Sequence, residues 1–170
     1  WSREIPAFRG MNILTPTVVD GGVFTSAYGG TSLFFRVEKK DGDALEAREA
    51  WTEPSQGYMS TPVVIGGHLY LHLRNQRMAC LEAATGKRAW TTTERFGQYM
   101  SLVARGDRIL ALDERGILIL IRARPDRFEQ LDSRKISESS TWAHLAPAGD
   151  RLYVRELDGL AAFRWKDAGG

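Results

Sequence analysis

The sequence from Pro62 to Trp90 reads PVVIGGHLYLHLRNQRMACLEAATGKRAW, a succession of short apolar runs separated by turn residues. Gly66-Gly67 ends the first run, Asn75-Gln76 separates the second from the third, and Thr85-Gly86 precedes the last. Gly and Asn tolerate the positive φ angles that tight turns require, and no apolar stripe at helical spacing develops. The stretch therefore predicts three or four short antiparallel strands joined by tight turns.

The same order of runs and turns recurs along the chain. Aligned on the turn after the first strand, the copies begin at Pro16, Pro62, Leu102 and Leu145, which lie 46, 40 and 43 residues apart. A period of about 40 to 50 residues with four strands per repeat is typical of a β-propeller blade. The sequence therefore predicts an all-β fold, a β-propeller of four-stranded antiparallel blades with about four blade equivalents.

We expect these blades to form one partial propeller. Trp51 and Trp90 close the first and second copies, whereas Phe128, Leu131 and Ile136 stand where the third copy should carry a Trp. The predicted unit spans residues 1–170, with the outer strand of a preceding blade in 1–14 and blades at 15–57, 58–97, 98–141 and 142–170, the last lacking its outer strand.

An open row of blades leaves an apolar face uncovered at each end, because each blade buries its faces against its neighbours. We expect these end faces to include Leu33-Phe34-Phe35 and the run 160–163. The chain is therefore predicted to pair with a second copy or with a missing propeller half. The alternative is a small ring closed within one chain, in which Trp1 to Ile5 supplies the outer strand of the last blade.

Composition excludes several classes of protein. The hydrophobic fraction of 43% and charged fraction of 26% are ordinary for a globular protein, and a net charge of +2 is too balanced to indicate a nucleic-acid partner. The longest apolar run, Ile117 to Ile121, is far shorter than the ~18 residues of a membrane helix, so we expect no membrane insertion. Cys80 is the single cysteine, which excludes a disulfide within the chain.

Residues 78–90 resemble the repeat of the pyrroloquinoline-quinone-type (PQQ-like) propellers, an Ala-x-Asp-x-x-Thr-Gly-x-x-x-Trp pattern. Thr85, Gly86 and Trp90 match the pattern, Glu82 stands near the Asp position, and Trp1 and Trp51 match the Trp alone. The chain looks like the C-terminal half of a quinoprotein-dehydrogenase-like propeller, and the resemblance implies that it is half of an eight-bladed ring. The resemblance implies an exported or periplasmic protein in which each Trp packs near the Thr-Gly turn of an adjoining blade. The implied girdle comprises Trp1, Trp51, Thr85, Gly86 and Trp90.

The resemblance also implies a cofactor for the enzymes of the family. Quinoprotein dehydrogenases hold the quinone between a Trp and a vicinal disulfide, beside a calcium ion bound by Glu, Asn and Asp. This chain has a single cysteine, and no Glu/Asn/Asp cluster recurs at the spacing that a hard cation needs. We therefore predict no cofactor and no metal site, with PQQ and calcium as the alternative that the family implies.

Aromatic and polar residues recur in the loops that enter the first strand of each blade and in those that join the second and third strands. Such groups converging on one rim are typical of a ligand or peptide site, although the aromatics also suit packing between blades. His68, His72 and His144 lack metal-site spacing, and no P-loop, GxSxG or HExxH pattern is present. The predicted partner-binding residues are Tyr58, Tyr99, Trp142, His144, His72, Arg74 and Arg155.

Two functions follow from this pattern. The first is a non-catalytic propeller that serves as a scaffold for a protein, peptide or glycan. The alternative is a fragment of a quinone (PQQ)-dependent oxidoreductase. Intact repeats without a catalytic constellation favour the first, so we predict no catalytic residues.

Overall fold

A computed structural model describes residues 1–165, which form four antiparallel sheets in chain order and contain no α-helix. This arrangement confirms the predicted all-β propeller class. A 3-10 turn (Phe8–Gly10) precedes the strands. The strands are β1 (Thr17–Val19), β2 (Gly22–Ser26), β3 (Ser32–Lys39), β4 (Leu45–Glu53), β5 (Val63–Ile65), β6 (His68–His72), β7 (Met78–Glu82), β8 (Arg88–Thr91), β9 (Met100–Arg105), β10 (Arg108–Asp113), β11 (Ile117–Arg122), β12 (Glu129–Lys135), β13 (Ala146–Ala148), β14 (Arg151–Arg155) and β15 (Leu160–Arg164).

Each sheet is a meander in which consecutive strands are hydrogen-bonded neighbours. The first three sheets, β1–β4, β5–β8 and β9–β12, have four strands, and the fourth, β13–β15, has three. The turns between first and second strands carry glycines at positive φ, such as Gly66 (56°) and Gly67 (75°), a conformation that costs glycine little. In residues 1–165 no helix is long and apolar enough to span a membrane.

A β-bulge recurs where the third strand of each four-stranded sheet pairs with the fourth. The register shifts after Phe34, after Cys80 and after Leu120. The fourth-strand residues opposite these positions are Trp51, Trp90 and Asp132. Bulges re-aim side chains, so the same irregularity directs an indole in two sheets and a carboxylate in the third. The position equivalent to the Trp is therefore Asp132, not the predicted region of Phe128, Leu131 or Ile136.

The apolar core is divided among the three junctions between consecutive sheets. The first cluster joins sheets one and two around Phe24, Phe34 and Leu71, and the second joins sheets two and three around Tyr70 and Ile109. The third, between sheets three and four, is smaller and contains Leu112, Leu145, Leu152 and Val154 as its buried members. Among residues 1–165 no such cluster joins the first sheet to the fourth, so the sheets form an open row.

The two ends of the row differ from each other. At the N-terminal end, Phe34 is fully buried against the second sheet, and Phe35, over whose ring the Arg3 guanidinium lies, is 3% exposed. The predicted uncovered face at Leu33-Phe34-Phe35 is thus mostly covered. At the other end, Leu160 is 71% exposed. Residues 1–7 form no strand, so Trp1 to Ile5 does not complete the fourth sheet; the assignment of residues 1–14 to a preceding blade stays a prediction.

Candidate functional site

One end of the sheets carries both sets of loops named by the sequence, and we call it the loop face. In the second sheet, the entry loop meets the turn after β6, because Arg74 N donates to the Gln56 carbonyl at 2.8 Å. In the third, Glu114 N donates to the Tyr99 carbonyl at 3.0 Å. The loops that lead into the first strand of a blade therefore lie against its turn between the second and third strands.

Buried serines connect neighbouring sheets beneath the loop face. Ser26 Oγ accepts a hydrogen bond from Gly57 N at 2.7 Å, and Ser60 Oγ accepts one from Met100 N at 3.1 Å. Ser101 Oγ accepts one from Leu145 N at 2.9 Å. All three serines are almost completely buried. Sequence reasoning missed them, although Ser60 and Ser101 both lie near the entry of a blade, a recurrence that the repeat could have offered as a signal.

Aromatic rings and an arginine meet at the junction of the first two sheets. Tyr28, on the turn after β2, lies 5.0 Å from the half-buried ring of Tyr58 and 5.5 Å from Phe8, measured between ring centroids. The Arg74 guanidinium lies over the Tyr28 ring, 4.3 Å from its centroid. Sequence reasoning proposed Tyr58 and Arg74 for this face but missed Tyr28, which connects them.

Hydrogen bonds hold the Arg74 guanidinium between two clefts. Its Nη1 donates to Gln56 Oε1 and its Nη2 donates to the Tyr28 hydroxyl, both at 3.1 Å. Each cleft has a volume of about 380 Å³. One is lined by polar groups that include Ser55 and Asn75, and the other by Pro6, Ala7, Phe8, Tyr28 and Gly29, with Arg74 shared by both.

A second aromatic group lies at the junction of the third and fourth sheets. Trp142 is 44% exposed and stacks on Tyr99, with ring centroids 5.9 Å apart. His144 meets the edge of Tyr99, and its Nδ1 lies 3.2 Å from Ser101 Oγ. Tyr99 itself is only 4% exposed, and burial raises the pKa of its hydroxyl. Tyr99 is thus the support of the exposed Trp142 and is not available to a partner.

His72, also predicted for the face, is fully buried at the end of β6. Its Nδ1 lies 3.4 Å from Ser60 Oγ, and its Nε2 has no hydrogen-bond partner of good geometry among the described residues. Burial lowers the pKa of His72 to about 4, against the smaller opposing effects of the Gly97 backbone and the Asp113 charge. A neutral imidazole in this position supports the loop face from below and cannot contact a partner at the surface.

The two adjacent acidic residues of the third sheet hold the backbone of the loops. Asp113 Oδ1 accepts hydrogen bonds from Arg115 N at 3.0 Å and Ile117 N at 3.2 Å, and its other oxygen pairs with the Arg115 side chain. Glu114 Oε2 accepts from Tyr99 N at 3.1 Å. These partners give both carboxylates a role in fixing the turn. Arg155, at the exposed end of β14, forms no ion pair with a carboxylate of residues 1–165.

Indole rings connect the outer strand of one sheet to a turn of the next. Trp51 Nε1 donates to the Ala83 carbonyl at 2.9 Å, and a Cβ added at Gly86 would lie 2.5 Å from the Trp51 ring. Trp90 Nε1 donates to the Arg124 carbonyl at 2.8 Å. Thr85 Oγ1 donates to Glu82 at 2.6 Å and shapes the turn on which Trp51 rests. Trp1 is 59% exposed.

The residues present do not fit the quinone and calcium that the family implies. Cys80 is fully buried, burial raises the pKa of its thiol to about 12, and no second cysteine exists for a vicinal disulfide. Within the described part of the chain no group of three His, Cys, Asp or Glu side chains could hold a metal ion. The donor set of residues 1–165 therefore supports no step through either group.

Comparison with known proteins places this geometry in a family. Residues 1–92 match the PQQ-type family model described as outer membrane protein assembly factor BamB. The chain belongs to this PQQ-like propeller family. Among curated proteins, a quinohemoprotein alcohol dehydrogenase of Comamonas testosteroni is 28% identical over 113 residues, which are 62% of this chain and 16% of that protein.

The solved structures that resemble this PQQ-like chain show the same fold. BamB from Moraxella catarrhalis superposes with a TM-score of 0.68 at 17% identity, over 88% of this chain and 41% of that one. The computationally designed Ika4 protein gives 0.59 at 10% identity, over 96% of this chain and 99% of that one. The chain thus spans less than half of the BamB structure and about one sixth of the curated dehydrogenase.

Proposed function

We propose that this PQQ-like propeller is a non-catalytic scaffold that binds a protein or peptide on its loop face. The observation that carries the proposal is the presence, on that face, of the exposed Trp142 at one junction and of Arg74 with Tyr28 at another. Tryptophan, tyrosine and arginine are the residues that most often dominate binding energy at protein interfaces. Trp142 rests on the buried Tyr99 ring, and Tyr28 packs against Tyr58, which reduces the entropy lost on binding.

The family supports a protein partner and an exported location. The matching model is described as an outer membrane protein assembly factor, a role that involves other proteins outside the cytoplasm. We extend both properties to this chain as part of the proposal. Expression of the full-length gene product with an epitope tag, followed by cell fractionation, tests the location; recovery with cytoplasmic markers would contradict it.

Trp142→Ala is the variant that tests the binding face, and Trp165→Ala is its matched control. The two side chains are 44% and 45% exposed, but Trp165 follows β15 at the end of the sheet opposite the loop face. Quantitative cross-linking in the source cells should recover a defined partner with the wild type and Trp165→Ala, and less than a tenth as much with Trp142→Ala. Equal recovery by the two variants would contradict the proposed face, and recovery of a glycan instead would change the class of partner.

A quinone-dependent oxidoreductase is the second candidate, because of the 28% identity to the quinohemoprotein dehydrogenase. Incubation of the purified protein with PQQ and calcium, followed by dialysis, absorption spectroscopy and dye reduction with alcohols, tests this candidate. Retained quinone with alcohol-dependent dye reduction would favour the enzyme over the scaffold. We expect neither, since the chain has no cysteine pair and no described cluster of metal ligands.

We further propose that the open row pairs with a second copy or with another propeller half. The fourth sheet supports this, because β15 lacks a neighbour on one edge among the described residues and Leu157 and Leu160 are more than 70% exposed. Unpaired strand edges and apolar patches are rarely left bare. Light scattering should show a dimer; a monodisperse monomer with one cooperative melting transition would favour a self-contained row.

A further inference from the structure

Most arginines of the structure form an ion pair with a carboxylate, whereas the Arg74 guanidinium is held by hydrogen bonds to neutral side chains. Arg88, which lines the same cleft, pairs with Glu53, and Arg115 pairs with Asp113. No carboxylate of residues 1–165 forms an ion pair with Arg74, whose hydrogen-bond partners are the neutral Gln56 and Tyr28 side chains. The positive charge at the centre of this junction is therefore not neutralised locally.

The contacts of Arg74 leave part of its hydrogen-bonding capacity unused. A guanidinium carries five N–H donors in a planar fork. One N–H of Nη1 donates to Gln56, and one N–H of Nη2 donates to Tyr28. Three donors remain. Stacking on Tyr28 and the two hydrogen bonds hold the plane of the fork, so little further entropy is lost when an anion binds. This is the arrangement that recognises a planar carboxylate with two hydrogen bonds.

The clefts on either side of Arg74 indicate what accompanies the carboxylate. The cleft formed by the N-terminal segment has Pro6, Ala7 and the rings of Phe8 and Tyr28 in its wall. The other presents the Ser55, Gln56 and Asn75 groups, which suit the amides of a peptide backbone. An apolar side chain of a peptide and the backbone of the same peptide can thus lie on opposite sides of the Arg74 guanidinium.

We propose that Arg74 recognises a peptide carboxylate next to an aromatic or large apolar side chain, with that side chain in the cleft of Phe8 and Tyr28. The inference rests on the proposed function, since it names the chemistry of a peptide bound on the loop face. The carboxylate belongs to an acidic side chain or to a chain terminus, and both sources present the same planar group.

Titration of ¹⁵N-labelled protein with short peptides, followed by NMR at the Arg Nε–H signals, tests the proposal. The probes are acetyl-Phe-Glu-amide, its neutral match acetyl-Phe-Gln-amide, acetyl-Ala-Glu-amide, and acetyl-Phe with a free terminal carboxylate. We expect dissociation constants on the order of millimolar for the Phe-Glu peptide and at least tenfold weaker binding for the Phe-Gln peptide. The terminal-acid probe shows which source of carboxylate is preferred.

Arg74→Gln should weaken binding of the Phe-Glu peptide at least tenfold and remove its preference over the Phe-Gln peptide. Arg74→Lys keeps the charge but not the fork, and should bind several-fold more weakly than the wild type. Arg105→Gln is the matched control. Arg105 is an exposed arginine at the end of β9 that lies away from the loop face, and this variant should bind the Phe-Glu peptide as the wild type does. Circular dichroism and thermal melting establish that each variant is folded.

Equal binding of the Phe-Glu and Phe-Gln peptides, equal losses in Arg74→Gln and Arg105→Gln, or no binding of any probe would overturn the proposal. Equal binding of the Ala-Glu peptide would overturn the assignment of the apolar cleft. The titration is observed at Arg74, whereas the test of the proposed function is observed at Trp142 with the natural partner. Partner capture that depends on Trp142 but not on Arg74 would therefore reject this inference while leaving the scaffold in place.

Discussion

The second and third junctions of this row are built from the same repeat but are held in different ways. At the second, Trp90 reaches from β8 to the third sheet, where its indole donates to the Arg124 carbonyl and its ring lies 5.9 Å from Phe128. At the third, the equivalent residue is Asp132, which is exposed and pairs with Arg134. The second junction buries ten core residues and the third four, among residues 1–165. The indole thus extends a junction from the inner strands to the outer edge of the sheets.

Trp90→Ala is expected to have the largest effect on this comparison. Loss of the ring leaves a cavity beside Tyr70 and Phe128 and leaves the Arg124 carbonyl without its donor. Chemical denaturation should show a decrease of about 3 to 5 kcal/mol in the free energy of unfolding. The matched change in the third sheet, Asp132→Ala, should alter stability by less than about 0.5 kcal/mol. A loss below about 1 kcal/mol in Trp90→Ala would show that the indole is not an anchor.

The repeat could be predicted from the sequence because its signals are local. Glycines at the turns, β-branched runs and the spacing of 46, 40 and 43 residues all act within a single blade. The bulge that aims Trp51 and Trp90 depends on one extra residue in the fourth strand, and the sequence alone does not show that residue as unpaired. For this reason the sequence alone predicts Phe128, Leu131 or Ile136 at this position of the third copy, whereas the strand register selects Asp132.

The candidate site was less predictable, because burial depends on neighbouring blades. Tyr99 lies in the predicted entry loop and His72 at the end of β6, not in the predicted loop, and both lie beneath the surface. Tyr28 lies on a turn whose equivalents in other blades are not aromatic, so a search for recurrent residues does not select it. Its role comes from contacts with Tyr58 and Arg74, which are 30 and 46 residues away.

His72 ends the second strand of its sheet, and its protonation should make the free energy of unfolding depend on pH. The pKa of His72 in the folded chain is about 4, below the ordinary value of about 6.5, so the unfolded chain takes up the proton first as pH falls. The stabilisation is complete above pH 6.5 and should be lost between pH 6.5 and 4, about 3 kcal/mol in total. Unfolding by urea across this range measures the loss.

Two variants assign this pH dependence. His72→Leu should remove most of it, because the neutral side chain has no proton to gain. His68→Gln, which changes a half-buried histidine at the other end of β6, should retain it. The same slope in wild type and His72→Leu would contradict the assignment and would indicate that carboxylates dominate acid unfolding.

Gly86→Ala tests whether the first junction is anchored like the second. Gly86 has φ +73° and faces the Trp51 ring, whereas Gly67 has φ +75° with nothing within 4 Å of an added Cβ. Gly67→Ala should cost about 1 kcal/mol, the penalty of the left-handed conformation. Gly86→Ala should cost about 1 to 2 kcal/mol more, because the ring must also move. Equal losses in thermal unfolding would mean that the Trp51 contact contributes nothing.

Ser101→Ala should have the smallest effect on the free energy of unfolding, and it tests the third junction alone. Ser101 Oγ accepts from Leu145 N, and Ser60 Oγ accepts from Met100 N in the same way one junction earlier. Removing either hydroxyl should cost about 1 kcal/mol. Because no outer-strand indole crosses the third junction among residues 1–165, we expect the loss in Ser101→Ala to appear as separate opening of the fourth sheet. Hydrogen exchange in β13–β15 should then accelerate about fivefold, since 1.4 kcal/mol corresponds to a factor of ten, while exchange in β5–β8 stays unchanged.

Ser60→Ala is the matched variant at the second junction. With Trp90 still in place, exchange should change by similar factors in the sheets on both sides of that junction. A uniform change across all four sheets in Ser101→Ala would show that the third junction is as cooperative as the second, despite Asp132.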